Sequence, residues 1–248
     1  MQKFFLLLLI FLVLACSKKE DNKLVIKEKD LELQMIDSYK QGVEALDKGD
    51  GITAANKFNE AELLFPQSDW APKSALMAAY SYYVQDYYGD TIAELERFMR
   101  VYPQHKNIDY AYYLLGVSYY EQIVDEKKDL QSIIDAKNYF TIVLKRFPNT
   151  EYALDSEFKL NLINDILASK EMYIGRYYFQ KKKWIPAINR FRIVIDEYQT
   201  TIYTEEALHR LVEIYFTIGL KNEAEKYAKL LGYNYLSSEW YEKSYIVF

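Results

Sequence analysis

Five times along this chain an aromatic residue falls eleven positions after a small one, a spacing that confines the fold to stacked helix pairs. The sets are Ala54, Phe58, Phe65, Pro66; then Thr91, Leu95, Tyr102, Pro103; then Ala136, Phe140, Phe147, Pro148; then Ala187, Phe191, Tyr198, Gln199; and Ala224, Ala228, Tyr235, Leu236. Twelve residues ahead of the leading residue stand Gly42, Ala79, Gly175 and Val212, and three further on come Ala45, Tyr82, Tyr178 and Tyr215. Small residues let a neighbouring helix approach, aromatics fill the space between pairs, and Pro cannot continue a helix. One such pair cannot bury its apolar face alone, whereas a stack of them can.

This register resembles the tetratricopeptide repeat, a helix–turn–helix unit with a small residue in helix A, another in helix B and a closing Pro. The expectation is an all-α solenoid of five helix pairs. Half of the 248 residues are hydrophobic, 17% are aromatic and only eight are Gly, which suits a compact helical protein. The formal charge is −5 and no basic run exceeds Lys181 to Lys183, so nucleic acid is not an expected partner.

The first residues read as a separate object. Lys3 precedes an apolar run from Phe4 to Leu14, followed by Ala15 and Cys16, the one cysteine of the sequence. Eleven apolar residues are too few to span a bilayer. They read as an export signal over residues 1–15. Val13, Leu14, Ala15 and Cys16 resemble the bacterial lipoprotein processing box, which implies cleavage before Cys16 and lipid on that residue. An exported protein with one Cys has no disulfide framework to build, so Cys16 is expected to be an anchor. Several acyl chains hold a membrane where one does not, at about 0.8 kcal/mol per buried methylene. Cleavage removes one Lys and leaves 30 basic against 36 acidic residues, so charge would not draw the chain to a membrane surface. Ser17 follows the Cys, and by lipoprotein sorting rules that residue favours the outer membrane over retention in the inner one. Residues 16–30, mostly polar, are expected to form a lipidated tether.

Two breaks in the register carry information. Gly116 and Ala136 are twenty apart instead of twelve, which places eight extra residues within Glu121 to Asp135; the charged stretch Val124 to Leu130 is expected to loop out. The distance from Pro148 to Gly175 is twenty-seven where the other repeats have thirteen. Fourteen extra residues make about four helical turns. They hold neither Pro nor Gly, and Leu154, Phe158, Leu162 and Ile166 recur at helical spacing. The expectation is a long helix joining residues 31–148, repeats one to three, to residues 149–248, with repeats four and five.

Catalytic constellations are missing. No metal box, phosphate loop or nucleophile elbow appears, and His105 and His209 read as a loop residue and a helix-surface residue. No enzyme, cofactor or metal site is expected, and acidic residues on the helices read as solvated faces. Binding remains, and solenoids bind on the concave face formed by their A helices. Positions three before, one after and four after each small residue of helix A give Tyr39, Val43 and Leu46; Leu76, Tyr80 and Tyr83; and Tyr113, Val117 and Tyr120. Tyrosine offers wide apolar contact with a polar tip, suited to an extended apolar or aromatic peptide. The Lys and Asn that clamp carboxylates in chaperone-binding repeats are absent from these positions. The same count in the second half gives Met172, Arg176, Phe179, His209, Glu213 and Phe216, a mixed and charged face. Arg190 and Arg192, beside the basic turn, are candidates for acidic groups on a protein partner.

A lipoprotein box, a three-plus-two repeat plan, Tyr102-Pro103-Gln104-His105 with Asn107-Ile108-Asp109-Tyr110, Trp184-Ile185-Pro186-Ala187-Ile188-Asn189-Arg190 and Glu223-Ala224-Glu225-Lys226 together resemble the BamD family. These are lipoproteins of the outer-membrane β-barrel assembly machinery. The resemblance implies a non-catalytic scaffold on the periplasmic face of the outer membrane. Its first half would meet unfolded outer-membrane precursors, and its second would dock on the POTRA region of a BamA-like barrel protein, with other assembly lipoproteins as further partners. It also places Arg190, with neighbouring Arg176 and Arg192, in the half that faces the barrel subunit. A periplasmic repeat adaptor for cell-wall or Tol-Pal processes is the alternative, separated by whether depletion costs folded barrels or septation.

Overall fold

The computed structural model describes residues 28–123 and 130–248. The export signal, Cys16 and most of the tether lie outside the described residues, as does all of the expected loop except Leu130. Eleven α-helices and no strand occur among the described residues. They are α1 (Glu28–Asp47), α2 (Gly51–Leu64), α3 (Ala71–Tyr83), α4 (Tyr88–Val101), α5 (Ile108–Glu121), α6 (Leu130–Arg146), α7 (Glu151–Gln180), α8 (Trp184–Glu197), α9 (Thr204–Thr217), α10 (Lys221–Asn234) and α11 (Glu239–Ile246). Consecutive helices pack on one another from α1 to α10, as in a solenoid.

The register explains where each helix stops. Phe65, Tyr102, Phe147, Tyr198 and Tyr235, the aromatics at plus eleven, each stand directly after the last residue of a B helix. Four of them share a backbone that has left the helix, with φ between −143° and −124°. Gln199 and Leu236 follow two of these residues, so the closing Pro is not what ends the helix. Tyr198 is buried and the other four rings are half-buried, and at Tyr198 the freed carbonyl accepts from the Thr201 and Thr204 hydroxyls. Between helices A and B a second rule holds. Gly49, Asp86, Lys182 and Gly219, each seven after the small residue of helix A, have φ of 77°, 60°, 53° and 85°. A left-handed residue is the usual way to turn a chain out of a helix. In repeat three the equivalent position is Ile123, where the insertion begins.

Apolar faces merge into three clusters. The first ties Ala45, Ala54 and Phe58 to Ala78, and the second joins α3, α4 and α5 around Leu95, Phe98 and Leu115. The largest runs from Val117 in α5 to Ile214 in α9. The fourteen extra residues fall inside α7, a single helix of 30 residues that also serves as helix A of repeat four. At 1.5 Å per residue it is about 45 Å long. Its Ala153, Ser156, Leu160 and Ile163 face the core, while Leu154 and Phe158 are 74% and 62% exposed. The helical spacing of Leu154, Phe158 and Leu162 was thus a true sign of a helix but marks its outer face.

Three further expectations change. The first described helix begins at Glu28, so residues 28–30, expected in the tether, are helical. A helix beyond the five pairs, α11, closes the array against α9 and α10. Glu62 of α2, expected on a solvated face, is buried: Arg97 of α4 holds both its carboxylate oxygens, at 2.9 and 2.6 Å, and the Tyr102 hydroxyl donates to it at 2.8 Å. An acid and a base thirty-five residues apart thereby tie repeat one to repeat two.

Candidate functional site

The A helices α1, α3, α5 and α7 each send a tyrosine to one pocket of about 370 Å³. Tyr39, Tyr80, Tyr110 and Tyr152 line it together with Leu76, Met77, Asn107 and Lys73. Tyr39 is fixed edge-on against Phe58 and Trp70, both at 5.0 Å. Tyr110 lies 5.4 Å from Tyr152, and burial pushes its phenol well above the ordinary value. Tyr152 stacks at 5.1 Å on Tyr113, whose hydroxyl donates to Asp155 at 2.7 Å. The walls are therefore held from behind by rings and hydrogen bonds before any ligand arrives.

Of the five tyrosines expected in a groove, Tyr39 and Tyr80 line the pocket and Tyr113 backs it. Tyr83 packs between Tyr80 and Tyr88 at 6.5 and 6.1 Å, and Tyr120 lies against Phe140 at 6.4 Å with the Lys159 ammonium 5.3 Å from its ring. Tyr110 and Lys73 were missed. Both stand six residues before the small residue of their helix, one turn earlier on the same stripe, so extending the count by a turn finds them. Tyr152 had no register position to betray it, because the fourteen extra residues interrupt the spacing there.

Lys73 is the one charged side chain lining the pocket. Its ammonium rests 4.7 Å from the centre of the Trp70 ring, and no carboxylate of the described residues pairs with it. Nearby His105 packs edge-on against Phe98 at 5.6 Å. Burial, and then the charges of Lys106 and Lys73, hold its pKa below the ordinary value, so the ring is neutral at pH 7.

The corresponding face of the second half is closed by its own charges. Arg176 of α7 pairs with Glu206 of α9, which also accepts from Arg210 at 3.3 Å, and Arg210 donates to Glu213 at 2.7 Å. Burial raises the Glu206 and Glu213 carboxyls, but hydrogen bonds and charge from Arg176 and Arg210, and from His209 and Arg210, outweigh it and hold both below the ordinary value. Arg190 donates to Glu171 at 2.8 Å within its own repeat, and Arg192 reaches Asp196 only at 3.7 Å along an exposed helix face. His209 is not on a helix surface: it is 4% exposed, 2.8 Å from the Ser244 hydroxyl and 5.3 Å from the Trp240 ring. No three His, Cys, Asp or Glu among the described residues converge as a metal site, and no described helix is long and apolar enough to cross a membrane.

Five consecutive helix pairs carrying the small-residue and aromatic register define a helical repeat scaffold of the tetratricopeptide class. Residues 32–230 match the family model YfiO, outer membrane lipoprotein. The chain is 41% identical to the outer membrane protein assembly factor BamD of Caulobacter vibrioides, over 94% of this chain and 75% of that protein. Its identity to the BamD of Rickettsia prowazekii is 42%, over 96% of this chain and 93% of that one. The chain belongs to the BamD family of outer membrane protein assembly factors, which are not enzymes. Among solved structures, the TPR-like repeats of a Podosopora anserina kinesin light chain align with a TM-score of 0.40 at 12% identity, over 81% of this chain and 93% of that one.

Proposed function

We propose that this chain is a lipid-anchored scaffold on the periplasmic face of the outer membrane, which receives segments of unfolded β-barrel precursors and passes them to a POTRA-bearing barrel subunit. The observation that carries the reading is the convergence of Tyr39, Tyr80, Tyr110 and Tyr152 from four different helices on one pocket. Preformed apolar walls with polar hydroxyl tips suit an extended, aromatic-rich strand, which brings its own backbone donors and acceptors. Family membership supports the outer membrane and assembly, and the Cys16 processing box supports the anchor. Arg190 and Arg192 support docking through the second half: Arg192 is more than half exposed, and Arg190 keeps about two fifths of its side chain in solvent while held by Glu171. Other assembly lipoproteins are expected in the same complex.

Two measurements test this. A labelled precursor-derived peptide rich in aromatic residues should bind the processed, detergent-solubilised protein, and replacing Tyr80 and Tyr110 with Ala should weaken it at least tenfold. Unchanged binding would remove the pocket from the mechanism. Detergent extracts should also yield a POTRA-bearing barrel protein with the wild type and less with Arg190→Ala.

A further inference from the structure

We propose that the first half of α7 is a docking seat for a helix of another protein, an amphipathic helix with a basic polar face, which stacks there as the next helix of a solenoid would. This does not rest on the tyrosine pocket. Eighteen residues make five full helical turns, so Leu154 and Phe158 lie on the same line of α7 as Met172 and Arg176. In the second half of the helix that line is covered: Met172 is fully buried and Arg176 pairs with Glu206 of α9. In the first half it stands open. Leu154 and Phe158 keep most of their surface in solvent, and Leu162 extends the exposed stripe by a turn.

The cause is a mismatch of lengths. α8 returns antiparallel along α7 with Phe191 on Gly175 and ends six residues later at Glu197, about 9 Å on, so it stops level with about residue 169. The fourteen extra residues of α7 lie beyond that stop. Ala153, Ser156, Leu160 and Ile163 pack them from behind, on the side of α5 and α6, while the front is bare. A repeat helix buries its apolar face only against a neighbour, and none of the described helices supplies one here.

The charges name the occupant. Glu151, Asp155, Glu157 and Asp165 flank the stripe, and Asp196 and Glu197 stand exposed at the end of α8. Lys159, the one base of α7 between Glu151 and Asp165, is turned to the Tyr120 ring at 5.3 Å and to Asp155 at 3.6 Å. Asp196 meets Arg192 only at 3.7 Å. An acidic rim around an apolar stripe repels acidic partners and pairs with Lys or Arg beside an apolar helix face. A strand laid on this helix would leave its own backbone groups unpaired, so the occupant is helical. From Glu151 to Asp165 the seat is about 21 Å long, which matches a fourteen-residue helix such as α8.

The probe is a labelled helical peptide about four turns long, with leucines on one face and lysines on both flanks. Its controls are the same residues in scrambled order and a version with Glu in place of Lys. Fluorescence anisotropy with the processed full-length protein in detergent, blanked against empty micelles, should show the probe binding at least about tenfold more tightly than either control. Its advantage over the Glu version should shrink with added salt. Leu154→Gln with Phe158→Gln should weaken the probe at least about tenfold, and thermal melts should be unchanged because both side chains lie in solvent. Glu157→Gln with Asp165→Asn should weaken it less and flatten its salt dependence. Hydrogen exchange should show added protection over residues 151–166. A scrambled peptide that binds equally, no binding at all, or binding untouched by the Leu154 and Phe158 changes overturns the proposal. Loss on Tyr80→Ala with Tyr110→Ala, and not on those changes, would send the peptide to the tyrosine pocket and also overturn it. Sedimentation that shows self-association abolished by Leu154→Gln with Phe158→Gln would make the occupant a second copy and overturn the choice of partner.

Discussion

Each repeat solves one packing problem at two positions. The small residue of helix A faces the residue four after the small residue of helix B, and their volumes trade off. Gly42 meets Phe58, Gly116 meets Phe140 and Gly175 meets Phe191, while the same register pairs Ala79 with Leu95 and Val212 with Ala228. A Cβ on Gly116 would lie 2.8 Å from the Phe140 ring, closer than such atoms approach. Gly116→Val should therefore destabilise the protein by about 1–3 kcal/mol through overpacking. Phe140→Ala should cost about 3–5 kcal/mol by leaving a cavity. The double variant reproduces the pairing of repeat five and should cost at least about 1 kcal/mol less than the sum of the singles. Urea denaturation of the four proteins checks this, and strict additivity would show that the two positions do not share one space.

Among the elements, α11 shows both what the sequence discloses and what it hides. Helix ends and turns were legible because single residues enforce them: the aromatic at plus eleven after each B helix, and the left-handed residue seven after each small one in four of the repeats. The 30-residue α7 was legible from a spacing error combined with the lack of Pro and Gly. The orientation of its Leu154 and Phe158 was not, because periodicity gives a stripe without saying which side the neighbours occupy. Two of the four pocket tyrosines were legible for the same reason that Tyr110 was not, namely where along helix A the counting stopped. The extra helix lay beyond the fifth repeat and so had no register to announce it. Its signal was local: Gly232 takes the Tyr241 ring, whose nearest atom is 2.5 Å from where a Cβ would sit, and Ser238 caps the helix. Buried His209 then bonds Ser244, and Ser238 donates to Glu205. Gly232→Val should push Tyr241 out and release α11 while α1–α8 remain folded. Hydrogen exchange would show protection lost over residues 238–246 and retained in the long helix. Uniform loss across the chain would mean that α11 and the array unfold as one unit.

Across the whole molecule buried phenols are raised by folding in both halves, Tyr198, Tyr215 and Tyr227 included, whereas the ion-paired carboxyls held below their ordinary value, Glu206 and Glu213, lie in the second half. Tyr102, Tyr110 and Tyr113 titrate above the ordinary value, burial being the largest cause, and Tyr88 is pushed up to about 12, chiefly by donating to Asp86. A pKa raised by folding means stability that is intact below pH 10 and lost as pH climbs through the folded values. The second half adds Glu206 and Glu213, whose carboxyls are held below the ordinary 4.5. A pKa lowered by folding means stability present above pH 4.5 and lost as pH falls through the folded values, because protonation removes the anion that Arg176 and Arg210 grip. Acidification from pH 7 to about pH 4 should therefore loosen the α7–α9 contact before the tyrosine-lined contacts among α1, α3 and α5. His105 shifts the same way but spends its effect earlier: its lowered pKa costs stability as pH falls below 6.5, on the scale of one partly exposed ring. Hydrogen exchange at pH 7 and pH 4, corrected for intrinsic rates, should show α9 and α10 losing protection first, and Glu206→Gln should abolish most of the difference between the two pH values. Loss beginning in α1–α5, or a Glu206→Gln protein with the same pH response, would place the acid-sensitive contact elsewhere in the array.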